Sequence, residues 1–149
     1  METETAPERL RALPSWLLSQ AALEAARTVS EHLSAAGAHR SHYAVLAALE
    51  EFGPASQAAL GRRCGIDRSD MVALLDRLAA DGDVERRADP SDRRRNIVTL
   101  TPRGMRPLDE LGAALGDAQD ALLSSLPSKD RDVLVALLRE LVTGHAARR

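Results

Sequence analysis

Three consecutive arginines at the tip of a predicted hairpin constrain this chain more than any other feature. The segment Asp89–Asn96 (DPSDRRRN) carries turn-forming residues together with Arg93, Arg94 and Arg95, and Val98–Thr101 then alternates apolar with polar residues. A period of two is typical of a strand with one buried face. The pattern therefore predicts two β-strands joined by an arginine-tipped loop.

Two short helices are predicted before this hairpin. The stretch Leu60–Ile66 (LGRRCGI) indicates the end of one helix, with Ser56 as its N-cap and Gly65 in a left-handed turn. The second helix is expected to begin near Asp67 and to end near Gly82. A helix, a tight turn, a second helix and a basic hairpin are the parts of a winged helix-turn-helix, which is the fold we predict.

The rest of the chain is predicted to form long amphipathic helices. Apolar residues recur at spacings of three and four over about 15–36 and in two helices within about 102–147. We expect a mainly α fold with a small two-stranded β wing, as a single domain over residues 1–149 with a winged helix-turn-helix lobe at about 39–103. The terminal helices are interpreted as dimerisation helices of a homodimer; the alternative is that they fold back on their own chain.

Charge and motif content restrict the function. The net charge is −2, so affinity for nucleic acid depends on local charge, and the stretch from Arg86 to Arg103 holds six arginines against two acids. The sequence contains no glycine-rich phosphate loop, nucleophile elbow or metal-ligand cluster. It therefore predicts a protein that is not an enzyme and that binds no cofactor or metal.

The sequence also indicates a compartment. Cys64 is the only cysteine, which excludes an intrachain disulfide, and its apolar neighbours are typical of a buried small side chain rather than of a redox switch. No apolar run reaches the length of a membrane span, and the first five residues are acidic where a secretory signal is basic. These features predict a cytoplasmic protein without a membrane partner.

The second helix of the pair supplies the candidate residues for reading DNA. In a helix-turn-helix its first turns enter the major groove, where each base pair shows its own pattern of donors and acceptors. The candidates are Arg68, Ser69, Asp70, Met71, Ala73 and Arg77. The last of them is expected to meet a phosphate or an acid of the wing. The alternative is a solvated helix start whose acid is favoured by the helix dipole.

The hairpin tip supplies a second set of candidates. Arg93, Arg94 and Arg95 suit a narrow minor groove with an enhanced negative potential, whereas the alternative is an ordinary solvated charge cluster. Asp92 is predicted to hold the guanidinium of Arg94 in one direction through paired hydrogen bonds. Ser56 is a further candidate, for contact with a phosphate.

The chain resembles a known family, the MarR (multiple antibiotic resistance regulator) transcriptional regulators, over nearly its whole length. The segments that carry the resemblance are Gly82–Arg87 (GDVERR), Asp89–Arg94 (DPSDRR) and Val98–Gly104 (VTLTPRG). The resemblance implies a dimeric winged-helix regulator with Asp92 and Arg94 in the family's Asp-x-Arg wing motif and a recognition helix spanning residues 68–77. Asp83 stands where the family usually has an apolar residue, so we expect a loosened entry into the first strand.

The resemblance further implies a small anionic or aromatic ligand in a crevice between the dimer helices and the DNA-binding lobe. The candidate residues there are Trp16, His39, His42 and Tyr43. His39 and His42 are interpreted as solvated histidines at a helix start rather than as a metal site, which needs further ligands. Trp16 fits a dimer or core contact better than a ligand platform.

The residues taken together predict a sequence-specific DNA-binding transcriptional regulator, a repressor that binds a pseudo-palindromic operator in double-stranded DNA as a homodimer and is released by a small-molecule ligand. The alternative is a winged-helix protein-interaction module without specific DNA binding, because fold does not fix function. An Arg94→Lys substitution discriminates between them, since an arginine fitted into a minor groove is not replaced by lysine.

Overall fold

The computed structural model describes residues 5–149 and is mainly helical, as predicted. Seven helices and three strands lie within those residues. In chain order they are α1 (Glu8–Arg11), α2 (Pro14–Ala35), α3 (Arg40–Phe52), β1 (Ala55–Ser56), α4 (Gln57–Cys64), α5 (Arg68–Ala80), β2 (Val84–Asp89), β3 (Asp92–Leu100), α6 (Met105–Leu122) and α7 (Ser128–Ala146). Among these residues, no helix is both long enough and apolar enough to cross a membrane.

The described chain separates into two compact units. The terminal unit contains the described residues up to Thr28 together with Ala118–Arg149, and the central unit contains Val29–Asp117. The boundaries between them fall inside α2 and α6. The central unit holds the helix pair α4 and α5 and the hairpin of β2 and β3, so we call α5 the recognition helix and the hairpin the wing.

The core of the central unit is aliphatic. Helices α3 and α5 each bury side chains spaced three or four residues apart, and the sheet adds one buried valine from each long strand. The fully or almost fully buried side chains include Leu33, Val45, Leu46, Leu49, Leu60, Met71, Leu75, Leu78, Val84 and Val98. Burial of each such large side chain contributes about 1.5–3 kcal/mol. This packing determines which face of α5 stays outside.

The sheet contains one strand more than the sequence predicted. Its order is β1-β3-β2 with antiparallel pairing throughout, and β1 pairs Ala55 with Val98 and Ser56 with Ile97. The prediction of two strands was therefore incomplete. A strand of two residues has no periodicity to detect, and it exists only because β3 provides a hydrogen-bonding edge for it.

The turns around the helix pair agree with the predicted capping residues. The side-chain oxygen of Ser56 accepts a hydrogen bond from the backbone nitrogen of Ala59 at 3.1 Å, which caps α4. Gly65 ends that helix with φ 65°, and Asp67 caps α5 by accepting from the backbone nitrogen of Asp70 at 2.9 Å. The helix-turn-helix is thus closed by local hydrogen bonds.

The wing is anchored firmly where we expected Asp83 to loosen it. The carbonyl oxygen of Asp83 accepts from the backbone nitrogen of Thr101 at 3.0 Å, and the Thr101 hydroxyl lies 2.6 Å from the carbonyl oxygen of Gly82. A β-carbon at Gly104 would collide with the Asp83 carbonyl, so only glycine fits there. The Thr101 hydroxyl also accepts from the backbone nitrogen of Gly104 at 3.1 Å, and α6 begins at Met105, about three residues after the predicted start near residue 102.

The terminal unit leaves many apolar side chains exposed. Helices α2 and α7 carry most of them at helical spacing. Arg131, near the start of α7, donates to the carbonyl oxygen of Leu126 at 3.0 Å and so holds the α6–α7 connection within the unit. The exposed large apolar residues are Leu13, Leu17, Leu18, Leu23, Val133, Val135, Leu137, Leu138, Leu141 and Val142. A single chain does not cover these side chains.

Candidate nucleic-acid interface

An open cleft of about 550 Å³ lies between α4, the start of the recognition helix and the wing. Arg62 comes from α4, Arg68 begins α5, and Arg94 and Arg95 come from β3. Gln57, Ala58 and Asn96 line the same cleft, and none of the acidic residues that the structure describes does. We call this surface the arginine cleft. It brings together two predicted recognition residues, Arg68 and Met71, and two predicted wing residues, Arg94 and Arg95, which lie 23 or more positions away in sequence.

The arginines of the arginine cleft form no ion pair within the part of the chain that the structure describes. None of Arg62, Arg68, Arg94 and Arg95 forms an ion pair with a described residue, and all four side chains belong to exposed residues. A concave surface lined by one sign of charge attracts counter-charged ligands. A guanidinium presents a planar fork of donors that matches phosphate oxygens. The cleft is therefore suited to a polyanion.

The loop at the tip of the wing is shaped by two aspartates. Asp89 accepts hydrogen bonds from the backbone nitrogen and the hydroxyl of Ser91, at 2.9 and 2.8 Å, and these bonds lower the pKa of its carboxyl. Asp92 accepts from the backbone nitrogen of Arg94 at 3.0 Å. The predicted pairing of Asp92 with the guanidinium of Arg94 is thus wrong, because its carboxylate is used by the backbone two residues ahead. Asp92 orients Arg94 through the main chain.

The recognition helix presents part of its first turns to solvent. Arg68, Ser69, Asp70 and Ala73 are exposed, whereas Met71 is buried in the core and reaches only the floor of the arginine cleft. The Ser69 hydroxyl donates to the Asp67 carboxylate at 2.9 Å, and hydrogen bonds from Asp70 and Ser69 lower the pKa of Asp67.

Sequence reasoning missed several residues of this surface. Gln57, Ala58 and Arg62 belong to the first helix of the pair, and Asn96 lies just beyond the arginine cluster. Val72 is exposed on the recognition helix one turn after Arg68. Val72 could have been identified from its helical spacing to Arg68. The residues of α4 could not, because their contribution depends on how the two helices pack.

Comparison with known proteins agrees with this geometry. A sequence model described as MarR family matches residues 36–95, which contain the helix pair and most of the wing. The solved structure of a probable transcriptional regulator from Pseudomonas aeruginosa is 31% identical, with a TM-score of 0.72, and the match covers 89% of this chain and 99% of that one. The chain belongs to the MarR family.

Two further relatives of this MarR family protein are informative. The HTH-type transcriptional repressor NicR of Pseudomonas putida is 32% identical over 100 residues, which is 67% of this chain but only 63% of NicR. The structure of the PcaV transcriptional regulator of Streptomyces coelicolor with its natural ligand is 30% identical, with a TM-score of 0.65, and the match covers 93% of this chain and 98% of PcaV.

This MarR family protein has a second cleft, of about 440 Å³, between the start of α3 and the recognition helix. Its polar lining consists of His39, Ser41, His42, Asp70 and Arg77, and we call it the histidine cleft. A terminal nitrogen of the Arg77 guanidinium donates to the carbonyl oxygen of Gly37 at 2.7 Å. Arg77 forms no ion pair with a described acid of the wing, and the other predicted partner, a phosphate, stays a prediction.

His42 is buried, with 5% of its surface exposed, so our interpretation of it as a solvated histidine was wrong. Its Nδ1 accepts from the backbone nitrogen of His39 at 3.2 Å, which places the proton of the neutral ring on Nε2. Among the described residues Nε2 has no hydrogen-bond partner. Burial, and then the neighbouring His39 and Arg77, lower the pKa of His42.

The remaining predicted ligand residues lie elsewhere. Tyr43 follows His42 on α3 and is half-buried, whereas Trp16, also half-buried, belongs to the terminal unit. No group of three or more potential metal ligands occurs among residues 5–149. The thiol of Cys64 lies 3.6 Å from the carbonyl oxygen of Ala44, and burial raises its pKa.

Proposed function

We propose that this protein is a sequence-specific DNA-binding transcriptional regulator, a repressor that binds a pseudo-palindromic operator as a homodimer. The observation that carries the proposal is the arginine cleft, where four arginines that form no ion pair with residues 5–149 meet between the recognition helix and the wing. Unpaired cations on the two parts of a fold that enter neighbouring grooves are expected in a DNA-binding protein.

Each part of the surface takes a separate role in this proposal. The recognition helix enters the major groove, where Arg68, Ser69, Asp70 and Ala73 face the base edges. The wing carries Arg93, Arg94 and Arg95 into the adjacent minor groove. Arg62 and the start of α4 lie against the DNA backbone between the two grooves, close to the predicted phosphate contact Ser56. The Ser56 hydroxyl already caps α4, so its own contact would be an additional one.

The exposed apolar side chains of α2 and α7 support the homodimer. Leu17 and Leu18 lie on α2, and Leu137, Leu138 and Leu141 lie on α7. Burial of apolar surface is the main favourable term in association, and a two-fold dimer covers the same patch on both chains. Two recognition helices then meet successive major grooves, about 34 Å apart.

A small anionic or aromatic ligand is the proposed signal for release. PcaV was solved with its natural ligand, and in this chain the Nε2 proton of His42 is a buried donor without a partner beside the histidine cleft. An acceptor such as a carboxylate or phenolate oxygen would satisfy it. His39, His42, Tyr43 and Trp16 remain the candidate ligand residues. A ligand acts by preferring a form whose recognition helices do not match the operator.

The proposed regulator is cytoplasmic and is not an enzyme. Membership of a transcription-regulator family supports both statements, because such a protein works on DNA through binding. The rival function is a protein-interaction module, which would use the arginine cleft for an acidic protein surface. Such a module tolerates lysine at position 94 nearly as well as arginine.

The experiment that tests the proposal is a selection of duplexes from the organism's own genome, followed by a salt series of binding. The selected duplex is titrated with the unmodified protein, Arg94→Ala, Arg94→Lys and a matched control, Arg106→Ala, whose arginine pairs with Glu110 within α6, outside the arginine cleft. We expect Arg94→Ala to weaken binding and to lower the salt slope by about 0.9 for each phosphate that the side chain no longer neutralises.

Arg94→Lys is expected to restore only part of this binding, and Arg106→Ala to change little. Failure to retain any duplex above random sequence would reject the proposal. Duplex binding that does not change when Arg94 is substituted would favour the interaction module.

A further inference from the structure

One ion pair connects the recognition helix to the wing. A terminal nitrogen of the Arg86 guanidinium on β2 lies 2.7 Å from the Asp76 carboxylate on α5. The other ion pairs among the described residues lie within α2, within β2 or within α6, or join α6 to α7. The Arg86 side chain is only 28% exposed, so its position is restricted by packing.

Building on the proposed function, we propose that Asp76 and Arg86 are positioning residues that hold the wing at a defined angle to the recognition helix and so determine affinity for the operator. Asp76 lies two turns after Arg68, on the exposed face of the recognition helix. Arg86 lies at the root of the wing, where it pairs in register with the buried Val98. The bridge therefore joins the two elements behind their DNA-contacting ends.

Because the wing is long, a small change in its angle to the recognition helix displaces its tip by a larger distance. Arg94 is four residues from Val98 along β3, about 13 Å at about 3.3 Å per residue, so a tilt of about 10° at the root displaces it by about 2 Å. Binding geometries must be held to within about 0.5 Å to be productive. The ladder is also irregular between Ala88 and Asp89, so the pairing of β2 with β3 does not stiffen the tip throughout.

Electrostatics alone predicts that Asp76 weakens DNA binding, whereas a positioning role predicts that it strengthens binding to the operator. This residue is an acid next to the proposed DNA surface, and it repels phosphates. Asp76→Asn removes the negative charge, so tighter DNA binding follows if charge is all that matters. If Asp76 positions the wing, the same substitution weakens binding to the operator and leaves binding to random duplex equal or tighter. The sign of the change therefore separates the two explanations.

The test is a double-mutant cycle between the bridge and the wing tip. Affinities for the selected operator and for a random duplex of equal length are measured for the unmodified protein, Asp76→Asn, Arg94→Ala and the double variant. We expect Asp76→Asn to weaken operator binding by about three- to tenfold, and to cause little further weakening when Arg94 is already absent. A merely structural role would not produce this dependence on Arg94.

The controls separate this inference from folding and from the proposed function. Glu51→Gln removes an exposed acid of α3 that forms no ion pair with a described residue, and it should leave the specificity ratio unchanged. The charge swap Asp76→Arg with Arg86→Asp should regain much of the specificity, with thermal unfolding confirming that each variant folds. This inference alone is overturned in two cases, both with specific binding by the unmodified protein. In the first, Asp76→Asn binds the operator equally well or more tightly; in the second, the effects of Asp76→Asn and Arg94→Ala are fully additive. No specific binding by the unmodified protein overturns both.

Discussion

The two clefts on either side of the recognition helix use their arginines differently. In the arginine cleft, Arg68 and Arg94 form no ion pair with any residue that the structure describes, and none of those residues places an acid in the lining. In the histidine cleft, Arg77 is bound to the carbonyl oxygen of Gly37, and Asp70 and a buried histidine share the lining. One helix thus has a side whose cations are free for an external anion and a side whose cation is engaged by the protein.

This difference shows that residue type alone does not define a DNA contact. Arg68 and Arg77 lie nine positions apart on the same helix and were both candidates from the sequence. Their hydrogen-bonding state distinguishes them, because moving the Arg77 guanidinium away from Gly37 toward an external anion breaks a bond of about 1 kcal/mol. The comparison can be tested by removing residues from each side.

The largest expected effect is the removal of two cations from the arginine cleft. The double variant Arg62→Ala and Arg68→Ala should bind the operator about a hundredfold more weakly at moderate salt, with the salt slope reduced by about 1.8, because each neutralised phosphate contributes about 0.9. Fluorescence anisotropy across a salt series measures both quantities. An unchanged slope would show that these arginines do not contact phosphates.

On the other side, Arg77→Ala is expected to act mainly on stability. Removal of its hydrogen bond to Gly37 should lower the free energy of unfolding by about 1 kcal/mol, as measured by urea denaturation, and should leave the salt slope of DNA binding unchanged. The sequence-based prediction was a contact with a phosphate or with an acid of the wing. A drop in slope of about 0.9 would support that prediction and remove the contrast between the clefts.

The buried histidine predicts a smaller, pH-dependent effect. Because the pKa of His42 is lowered in the folded protein, the unfolded chain takes up the proton first as pH falls. The free energy of unfolding is highest at a pH well above about 6.5, which is the pKa of a histidine in the unfolded chain. It decreases as the pH falls through that value toward the lower pKa of His42 in the folded protein. Protonation also converts Nδ1 into a donor, which ends its bond with the backbone nitrogen of His39.

This pH effect is measured by comparing unfolding of the unmodified protein and His42→Gln between pH 7.5 and 5. The difference between the two should shrink at the lower pH, since the variant lacks the titrating ring. Parallel curves would exclude His42 as the source, and a direct NMR titration of its ring would show whether its pKa is lowered.

The smallest effect is expected at Cys64, which borders neither cleft. Burial raises the pKa of its thiol, so the reactive thiolate is scarce. Peroxide treatment should leave operator affinity unchanged, with mass spectrometry showing a reduced cysteine. An affinity that falls with oxidation and returns with reductant would identify a redox switch.

Much of the local structure was predictable because its causes are local. Helix periodicity located the long helices, Ser56 and Gly65 were readable as a cap and a left-handed turn, and a helix start was predicted near Asp67, because these features act on neighbours a few positions away. The start of α6 was misplaced by about three residues, because Thr101 bonds to Gly82 and Asp83, nearly twenty positions earlier. The errors therefore arose where a side chain has a partner distant in sequence.

The candidate site follows the same division. The sequence by itself determined that the chain carries a helix pair and an arginine-tipped wing, since these depend on periodicity, turn residues and local charge. Only the tertiary structure decided that Arg62 joins Arg68 and Arg94 in one cleft, that Arg77 is engaged by Gly37, that His42 is buried, and that Asp76 meets Arg86. These contacts depend on how the aliphatic core packs α3, α4, α5 and the sheet together, and packing sets distances between residues whose order in the chain does not reveal them.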